Sequence, residues 1–197
     1  MEIRESNLTF VFPATTQAIK FDDTSFYCRQ YQNQPEGKGI DIIANSDDYL
    51  QLIEIKNCTG HESENLWRTS TNNSKNTSLE YSDSRDSLDI EMAKKVASTI
   101  ACIYGAWTKS QEASNAQEFL SFWEYLTNQH IPTSKKKIMV ILFLEGDFSI
   151  TGSKTRDKKM IMQRMQDSIR KKLTWLNCKV SVVDSTTYKQ RLFSIKE

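Results

Sequence analysis

One short segment constrains the fold more than any other: residues 49–56 form an apolar run with two charges at its C-terminal end. Because side chains alternate between the faces of a strand, Glu54 and Lys56 share one face with two leucines. Both faces are otherwise largely apolar, which predicts a buried, central strand. A carboxylate and an ammonium at the end of such a strand are costly unless they are paired or bind a metal ion. The segment therefore predicts a central sheet with a functional site at one strand end.

A second predicted strand, residues 40–43, precedes this segment, and the polar residues 45–48 are typical of a turn between the two. The resulting hairpin brings Asp41 alongside Glu54, which follows after twelve intervening residues. Two neighbouring carboxylates repel each other and attract a divalent cation, and oxygen ligands of this kind favour Mg²⁺ or Mn²⁺. Asp41 and Glu54 are therefore the predicted metal ligands, with the backbone carbonyl of Ile55 as a further oxygen ligand.

Lys56 completes a set of groups suited to phosphodiester hydrolysis. That reaction needs an activated water molecule and positive charge near the developing phosphorane oxygens. Lys56 is predicted to orient or deprotonate the water and to offset charge in the transition state. Each residue also has a structural alternative: Asp41 as a cap of the turn, and Glu54 with Lys56 as a salt bridge on an edge strand.

Hydrophobic periodicity around the hairpin predicts a mixed α/β protein, with one domain spanning residues 1–197. Residues 14–33 mix helical and extended signals. Residues 57–89 are rich in Ser, Thr and Asn and are predicted to be a long polar loop or insertion within the domain. The other predicted elements are strands at 8–12, 137–144 and 180–183, and helices at 90–107, 116–128 and 156–175.

Composition excludes several classes of protein. The net charge is +1 over 197 residues, so the molecule as a whole is not a cationic nucleic-acid binder. The four cysteines lie far apart and there are only two histidines, which argues against a structural zinc site and favours reduced thiols. The N-terminus lacks the apolar core of a signal peptide, and the longest apolar run, residues 138–144, is too short to cross a bilayer. A cytoplasmic protein without a membrane partner is expected.

The arrangement of Asp41 with Glu54-Ile55-Lys56 resembles the PD-(D/E)xK nuclease superfamily, which includes restriction endonucleases and Holliday-junction resolvases. The resemblance implies a restriction-endonuclease-like fold, in which a mixed central sheet is flanked by helices around an αβββαβ core. It also implies metal-dependent hydrolysis of DNA that leaves a 5′-phosphate. A nuclease-like module that binds DNA or a protein partner without catalysis is the alternative function.

The chain departs from the superfamily pattern at two places. Residue 40 is Ile where the pattern has Pro, a change that the superfamily tolerates. The acidic residue that the family usually carries on its first helix has no clear counterpart here. Asp22 and Asp23 are the candidates for this third carboxylate, and Glu5 is a poorer one.

Several basic residues are candidate DNA contacts. In the resemblance, a polar residue from the helix after the motif often approaches the phosphate, which points to Lys94 and Lys95. A solvated helix face is the alternative for these two lysines, and a solvated loop is the alternative for a histidine. The full set of candidate contacts is Lys38, His61, Lys94 and Lys95.

A narrower resemblance covers roughly residues 20–105 and is to the nuclease subunits of bacterial anti-phage systems of the Lamassu type. It implies DNA cleavage by the effector of a defence complex, restrained by a larger ATPase assembly, so that protein partners or self-association are expected. The matching positions are residues 37–43, 52–57, 60–61, Glu91 and 94–99.

Overall fold

The computed structural model describes residues 1–35, 37–46, 49–76, 84–111, 114–127, 138–149 and 154–196. The strands in this part of the chain are β1 (Glu2–Glu5), β2 (Leu8–Val11), β3 (Gln17–Lys20), β4 (Ile42–Asn45), β5 (Leu50–Asn57), β6 (Ser74–Asn76), β7 (Ser84–Asp86), β8 (Ile138–Glu145), β9 (Cys178–Val183) and β10 (Ser194–Lys196). The α-helices are α1 (Glu62–Asn65), α2 (Leu88–Lys109), α3 (Leu120–Thr127) and α4 (Lys154–Lys172).

A five-stranded sheet with the order β3-β4-β5-β8-β9 forms the centre of the molecule. Strands β3, β4 and β5 are an antiparallel meander, whereas β8 and β9 run parallel to β5. Strand β5 therefore lies in the middle of the sheet, between β4 and β8. This arrangement confirms the predicted α/β class, the hairpin and the central position of the strand that carries Glu54 and Lys56.

The two faces of β5 contribute to different cores. Leu50 and Leu52 are fully buried and share one core with Val96 of α2 and Ile169 of α4. This face points toward the helices, and the alternation of side chains places Glu54 on it as well. Because the helical layer covers the strand end, the Glu54 carboxylate is enclosed rather than presented to solvent.

The opposite face of the central sheet packs against a second, three-stranded sheet with the order β1-β2-β10. Ile53 and Ile55 share this second core with Phe10 of β2 and with Phe193, all buried. Strand β2 lies within the predicted strand 8–12, whereas β1 and β10 were not predicted. Both are short and carry alternating charged and partly exposed side chains, so their pattern is too weak to indicate a strand.

The chain enters β4 two residues later than predicted. The backbone amide of Ile40 donates to Oγ1 of Thr99 on α2 at 3.0 Å, and the carbonyl of Asp41 accepts from the amide of Phe21 at 2.9 Å. These contacts draw residues 40–41 out of the strand ladder, so that β4 begins at Ile42. Asp41 therefore lies at the open end of the β4–β5 hairpin, immediately before β4.

This path of the chain into β4 needs a glycine at residue 39, because an aromatic ring lies directly against the backbone there. A Cβ atom at this position would lie 2.0 Å from Cε1 of Phe21, which is fully buried. A side chain at residue 39 would displace that ring and move the segment that carries Asp41.

The remaining predicted elements are confirmed with small shifts of their ends. The helix predicted at 90–107 is α2, the helix at 156–175 begins and ends earlier as α4, and the last two strands are β8 and β9. The helix predicted at 116–128 is instead a 3₁₀ turn, Ser114–Phe119, followed by α3, and residue 128 lies outside the described residues.

Residues 57–89, predicted to be one polar loop or insertion, are divided into short elements. They contain α1, a 3₁₀ turn at Leu66–Thr69, the paired strands β6 and β7, and the first residues of α2; residues 77–83 lie outside the described part. The ambiguous residues 14–33 hold β3 and a π-helical turn, Tyr27–Tyr31. These elements are too short to produce a clear periodic pattern.

Candidate active site

Glu54 is a carboxylate at the end of the central strand, and only 1% of its surface is exposed. Its Oε1 atom accepts two charged contacts, from Nζ of Lys56 at 2.7 Å and from Nζ of Lys95 at 2.6 Å. Its Oε2 atom is buried and has no hydrogen-bond partner among the residues that the structure describes. A buried acceptor without a partner is unfavourable, so this oxygen is available to a cation or a donor that enters the site.

Asp41 meets the same strand end from the neighbouring β4. Its Oδ2 atom accepts a hydrogen bond from the backbone amide of Ile55 at 2.7 Å, and its Oδ1 atom lies 3.6 Å from Nζ of Lys95. In an extended strand the N–H and the C=O of one residue point to the same edge. The carbonyl of Ile55 is therefore directed toward the side of β5 at which Asp41 lies.

The first turns of α2 add Glu91 and Lys95, which are four residues apart and therefore share one helix face. Glu91 Oε1 lies 3.1 Å from Nζ of Lys56 and 3.7 Å from Nζ of Lys95. Its Oε2 atom pairs with the guanidinium of Arg68, which the 3₁₀ turn after α1 supplies. Helix α2 thus links the C-terminal end of β5 to the 3₁₀ turn at Leu66–Thr69.

The resulting cluster contains three carboxylates and three cations, so its formal charge is zero. Glu54 lies at its centre, and the cluster opens to solvent beside Lys56, whose side chain is 21% exposed. The members are Asp41, Glu54, Lys56, Arg68, Glu91 and Lys95.

Burial and charge act in opposite directions on the carboxylates. Burial raises the pKa of Glu54 and of Asp41, and the nearby ammonium groups only partly offset this effect. Burial also acts to raise the pKa of Glu91, but attraction to Lys56 and Arg68 outweighs it, so that this pKa is lowered. At Asp41 and Glu54, the positive charge nearby is therefore not enough to offset burial, which favours the protonated form of a carboxyl group.

The pKa of Lys56 is raised. Burial opposes this shift, but the carboxylates of Glu54 and Glu91 outweigh it. Lys56 is thus a charged hydrogen-bond donor in this cluster.

The two acids predicted as the third carboxylate lie around a different cation. Asp22 and Asp23 are exposed, and their oxygens lie 4.0 Å and 3.7 Å from Nζ of Lys20. Glu5, the weaker candidate, also pairs with Lys20, at 3.2 Å, and its charge adds to the larger effect of burial in raising the pKa of Asp41. The third carboxylate of the cluster is Glu91, which comes from the helix after the motif and pairs with Lys56 and Lys95.

Of the four candidate DNA contacts, Lys95 lies in the cluster. The other three side chains are exposed: Lys94 lies 3.0 Å from Asp86, and Nδ1 of His61 lies 3.5 Å from Glu64. Lys38 follows the buried Gly37 in the irregular segment before Asp41.

Sequence reasoning did not identify Glu91 and Arg68 as site residues. The spacing of Glu91 and Lys95 was a usable signal, because residues four apart on a helix form one charged face. Arg68 carried no such signal, since it lies in the polar segment whose local structure has no periodic pattern.

Within the described residues, no group of three His, Cys, Asp or Glu side chains is arranged so that it could hold a metal ion. A divalent cation at this site would therefore take two carboxylates, Asp41 and Glu54, and complete its coordination with the Ile55 carbonyl, water or substrate oxygens. The unpartnered Oε2 atom of Glu54 and the oxygen-rich donor set fit such an ion.

A cavity of about 510 Å³ lies on the same side of the sheet but not at the cluster. Because β5, β8 and β9 are parallel, their carboxyl ends share one edge, where ligands commonly bind in α/β sheets. The cavity lies at the ends of β8 and β9, and its charged and polar lining includes Lys158, Lys159, Gln163, Asp184 and Thr186.

Comparison with known proteins shows that the chain belongs to a family of unknown function (DUF6661), whose family model matches residues 24–197. No curated protein and no solved structure matches the chain. Among the helices in the described ranges, none is both long enough and apolar enough to span a membrane.

Proposed function

We propose that this member of the family is a divalent-metal-dependent DNA endonuclease, with Asp41, Glu54 and Lys56 at the centre of its active site. The main support is that two carboxylates, Asp41 and Glu54, meet at the end of the central strand, and that the buried Oε2 atom of Glu54 has no partner among the described residues. Because an unpartnered, charged oxygen is costly in the interior, its presence is easier to explain by a ligand than by folding alone.

The metal-binding groups would be the carboxylates of Asp41 and Glu54 and the carbonyl of Ile55. When bound, Mg²⁺ or Mn²⁺ supplies Lewis acidity and a water molecule of lowered pKa. Asp41 is held in place by the Ile55 amide, and Glu54 by the rigid central strand, so the ligands are pre-organised.

Lys56 and the helix α2 supply positive charge around this point. Lys56 is the more exposed of the two lysines, so its ammonium can donate a hydrogen bond to a phosphate oxygen that approaches from solvent. Glu91 orients that ammonium from the helix side and is itself held by Arg68. A charged donor in a largely buried site stabilises developing negative charge more than the same donor in water.

The order of elements supports a restriction-endonuclease-like core as part of the proposal. A three-stranded antiparallel meander, a helix and a parallel strand follow one another as β3, β4, β5, α2 and β8, which corresponds to the βββαβ part of the αβββαβ order. The described residues before the meander form β1 and β2 instead of the expected helix. The absence of that helix from the described part explains why the acid expected on it has no counterpart there.

DNA would lie along the edge where the parallel strands end. Lys158 and Lys159 of α4 line the cavity at the ends of β8 and β9. The net charge of +1 is low for a protein that captures DNA alone, which agrees with action inside a larger cytoplasmic assembly. The role as effector of an anti-phage complex rests on the resemblance of residues 20–105 alone.

One observation favours the second candidate, a nuclease-like module that binds DNA or a partner without catalysis. Each of the three carboxylates of the cluster lies within ion-pair distance of at least one of its three cations, so the formal charge of the cluster is neutralised by its own side chains. A buried and self-neutralised cluster of this kind can also serve to fix the position of α2 on the sheet.

Plasmid cleavage separates the two candidates. The purified protein is incubated with supercoiled DNA and either Mg²⁺ or Mn²⁺, beside Glu54→Gln and, as a matched control, Glu124→Gln at an exposed position on α3. We expect metal-dependent nicking or linearisation that falls on the order of 10²-fold or more in Glu54→Gln and is unchanged in the control. DNA binding without metal-dependent cleavage would support the module instead.

A further inference from the structure

The ammonium of Lys95 occupies the space between the two predicted metal ligands. Its Nζ atom lies 2.6 Å from Glu54 Oε1 and 3.6 Å from Asp41 Oδ1. In the described part of the chain it is the one cation within 4 Å of both carboxylates, because Lys56 makes its ion pairs with Glu54 and Glu91. The position that a divalent cation would need is thus held by a monovalent one.

A metal ion and this ammonium cannot share the space. Both would lie within a few ångströms of the same two carboxylates, and their mutual repulsion is weakly screened because Glu54 is 1% exposed. Lys95 is able to withdraw because its ammonium is carried on a flexible four-carbon chain. Glu91, one helical turn earlier and 3.7 Å away, offers it a carboxylate outside the metal position.

We propose that Lys95 is a built-in counterion that occupies the metal position between Asp41 and Glu54 and moves onto a substrate phosphate oxygen when the metal binds. This inference rests on the proposed function. It gives Lys95 two roles: it keeps Asp41 and Glu54 together before metal binding, and it becomes a second cationic contact to the phosphate afterwards. Metal affinity is lowered by the first role, and phosphate neutralisation in the transition state is increased by the second.

The two roles predict opposite effects of one substitution. Lys95→Ala removes the competing charge, so calorimetric titration should show Mn²⁺ binding about tenfold or more tighter than in the wild type. At saturating Mn²⁺, cleavage should nevertheless fall on the order of 10²-fold, because the phosphate contact is lost. A residue with a merely structural role would weaken Mn²⁺ binding when removed, and Lys109→Ala, at the exposed end of the same helix, is the control.

The outcomes distinguish this inference from the proposed function. Equal or weaker Mn²⁺ affinity in Lys95→Ala, with binding still lost in Glu54→Gln, overturns the role of Lys95 and leaves the metal site standing. Mn²⁺ binding to neither the wild type nor Lys95→Ala overturns both.

Acetylation of lysines in the wild-type protein, followed by mass spectrometry, tests the same movement without a variant. Labelling of Lys95 should rise on addition of Mn²⁺ while that of Lys109 stays constant. Unchanged labelling of Lys95 at Mn²⁺ saturation would contradict the displacement.

Discussion

Nζ of Lys56 lies 2.7 Å from Oε1 of Glu54, two residues earlier on the same face of β5. The pleat alone brings these two charges together, because residues two apart in a strand share a face. What the pleat cannot supply is the enclosure, which comes from α2 above that face and from the hairpin beside it. The local sequence therefore brings the two charged side chains together, and the tertiary fold encloses them.

Asp41 has a structural role and a proposed metal-binding role, and two substitutions separate them. Asp41→Asn keeps an oxygen that can accept the Ile55 amide hydrogen bond, so the free energy of unfolding should change by less than about 1 kcal/mol. Asp41→Ala leaves that amide without its partner and should cost about 1–3 kcal/mol. Both should abolish Mn²⁺ binding in calorimetry, whereas Mn²⁺ binding retained by both would remove Asp41 from the ligand set.

Asp89 anchors the N-terminal end of α2, from which Glu91 and Lys95 project. It is fully buried and accepts from Lys172 at 2.7 Å and from Ser168 at 2.6 Å, both on α4. These bonds lower its pKa although burial opposes the shift.

Asp89→Ala should therefore cost about 3–5 kcal/mol in urea unfolding, because it leaves the charge of Lys172 without its buried partner. The control is Asp167→Ala, whose side chain is 46% exposed and pairs with Arg170 on the surface; it should cost less than about 1 kcal/mol. Equal costs for the two variants would show that the buried network does not hold α2 in place.

The buried ion pair of Asp184 predicts a pH dependence of the free energy of unfolding, and this dependence does not involve the proposed active site. It is 3% exposed and lies 2.6 Å from Nζ of Lys158. Burial acts to raise its pKa, but hydrogen bonds from Lys158 and the threonines that follow outweigh this effect and lower the pKa from 3.8 to about 2.

Because the pKa of Asp184 is lower in the folded state, its contribution is fully present above about pH 4 and is lost as the pH falls to about 2. Unfolding of Asp184→Asn, measured across this range, should show a deficit of about 2 kcal/mol at neutral pH that disappears near pH 2. A deficit that stays constant with pH would assign the effect to packing rather than to charge.

The central strand and the long helix of the fold can be predicted from the spacing of apolar residues in the sequence. Strand β5 is apolar on both faces, and this pattern alone indicates its central position; the regular apolar stripe of α2 likewise indicates a long helix. Strand β10 pairs with β2 across almost the whole sequence, and no local pattern predicts such a contact. Strand β1 forms a local hairpin with β2, but its alternating charged side chains give too weak a strand pattern. Long-range pairing of weakly patterned segments is what periodicity cannot detect.

The candidate site likewise contains some residues that could be predicted from the sequence and others that could not. Asp41, Glu54 and Lys56 could be predicted because they lie on one hairpin whose geometry is local. The spacing of Glu91 and Lys95 indicates a shared helix face, but that this face meets the strand end depends on how α2 packs. Arg68 could not be predicted, because its position depends on how the turn after α1 packs against α2. Asp22 and Asp23 have a suitable place in the sequence, but the turn after β3 directs them to Lys20 instead.

The most direct measurement of the central claim compares DNA cleavage with DNA affinity in Lys56→Ala at saturating Mg²⁺. The loss of a positioned acid–base or charge-stabilising group should lower the cleavage rate on the order of 10²–10⁴-fold, while DNA affinity changes only as much as the loss of one phosphate contact requires. Lys56→Arg should not restore the rate, because the guanidinium is bulkier and presents its donors in a different geometry. Cleavage by Lys56→Ala at the wild-type rate would contradict the account.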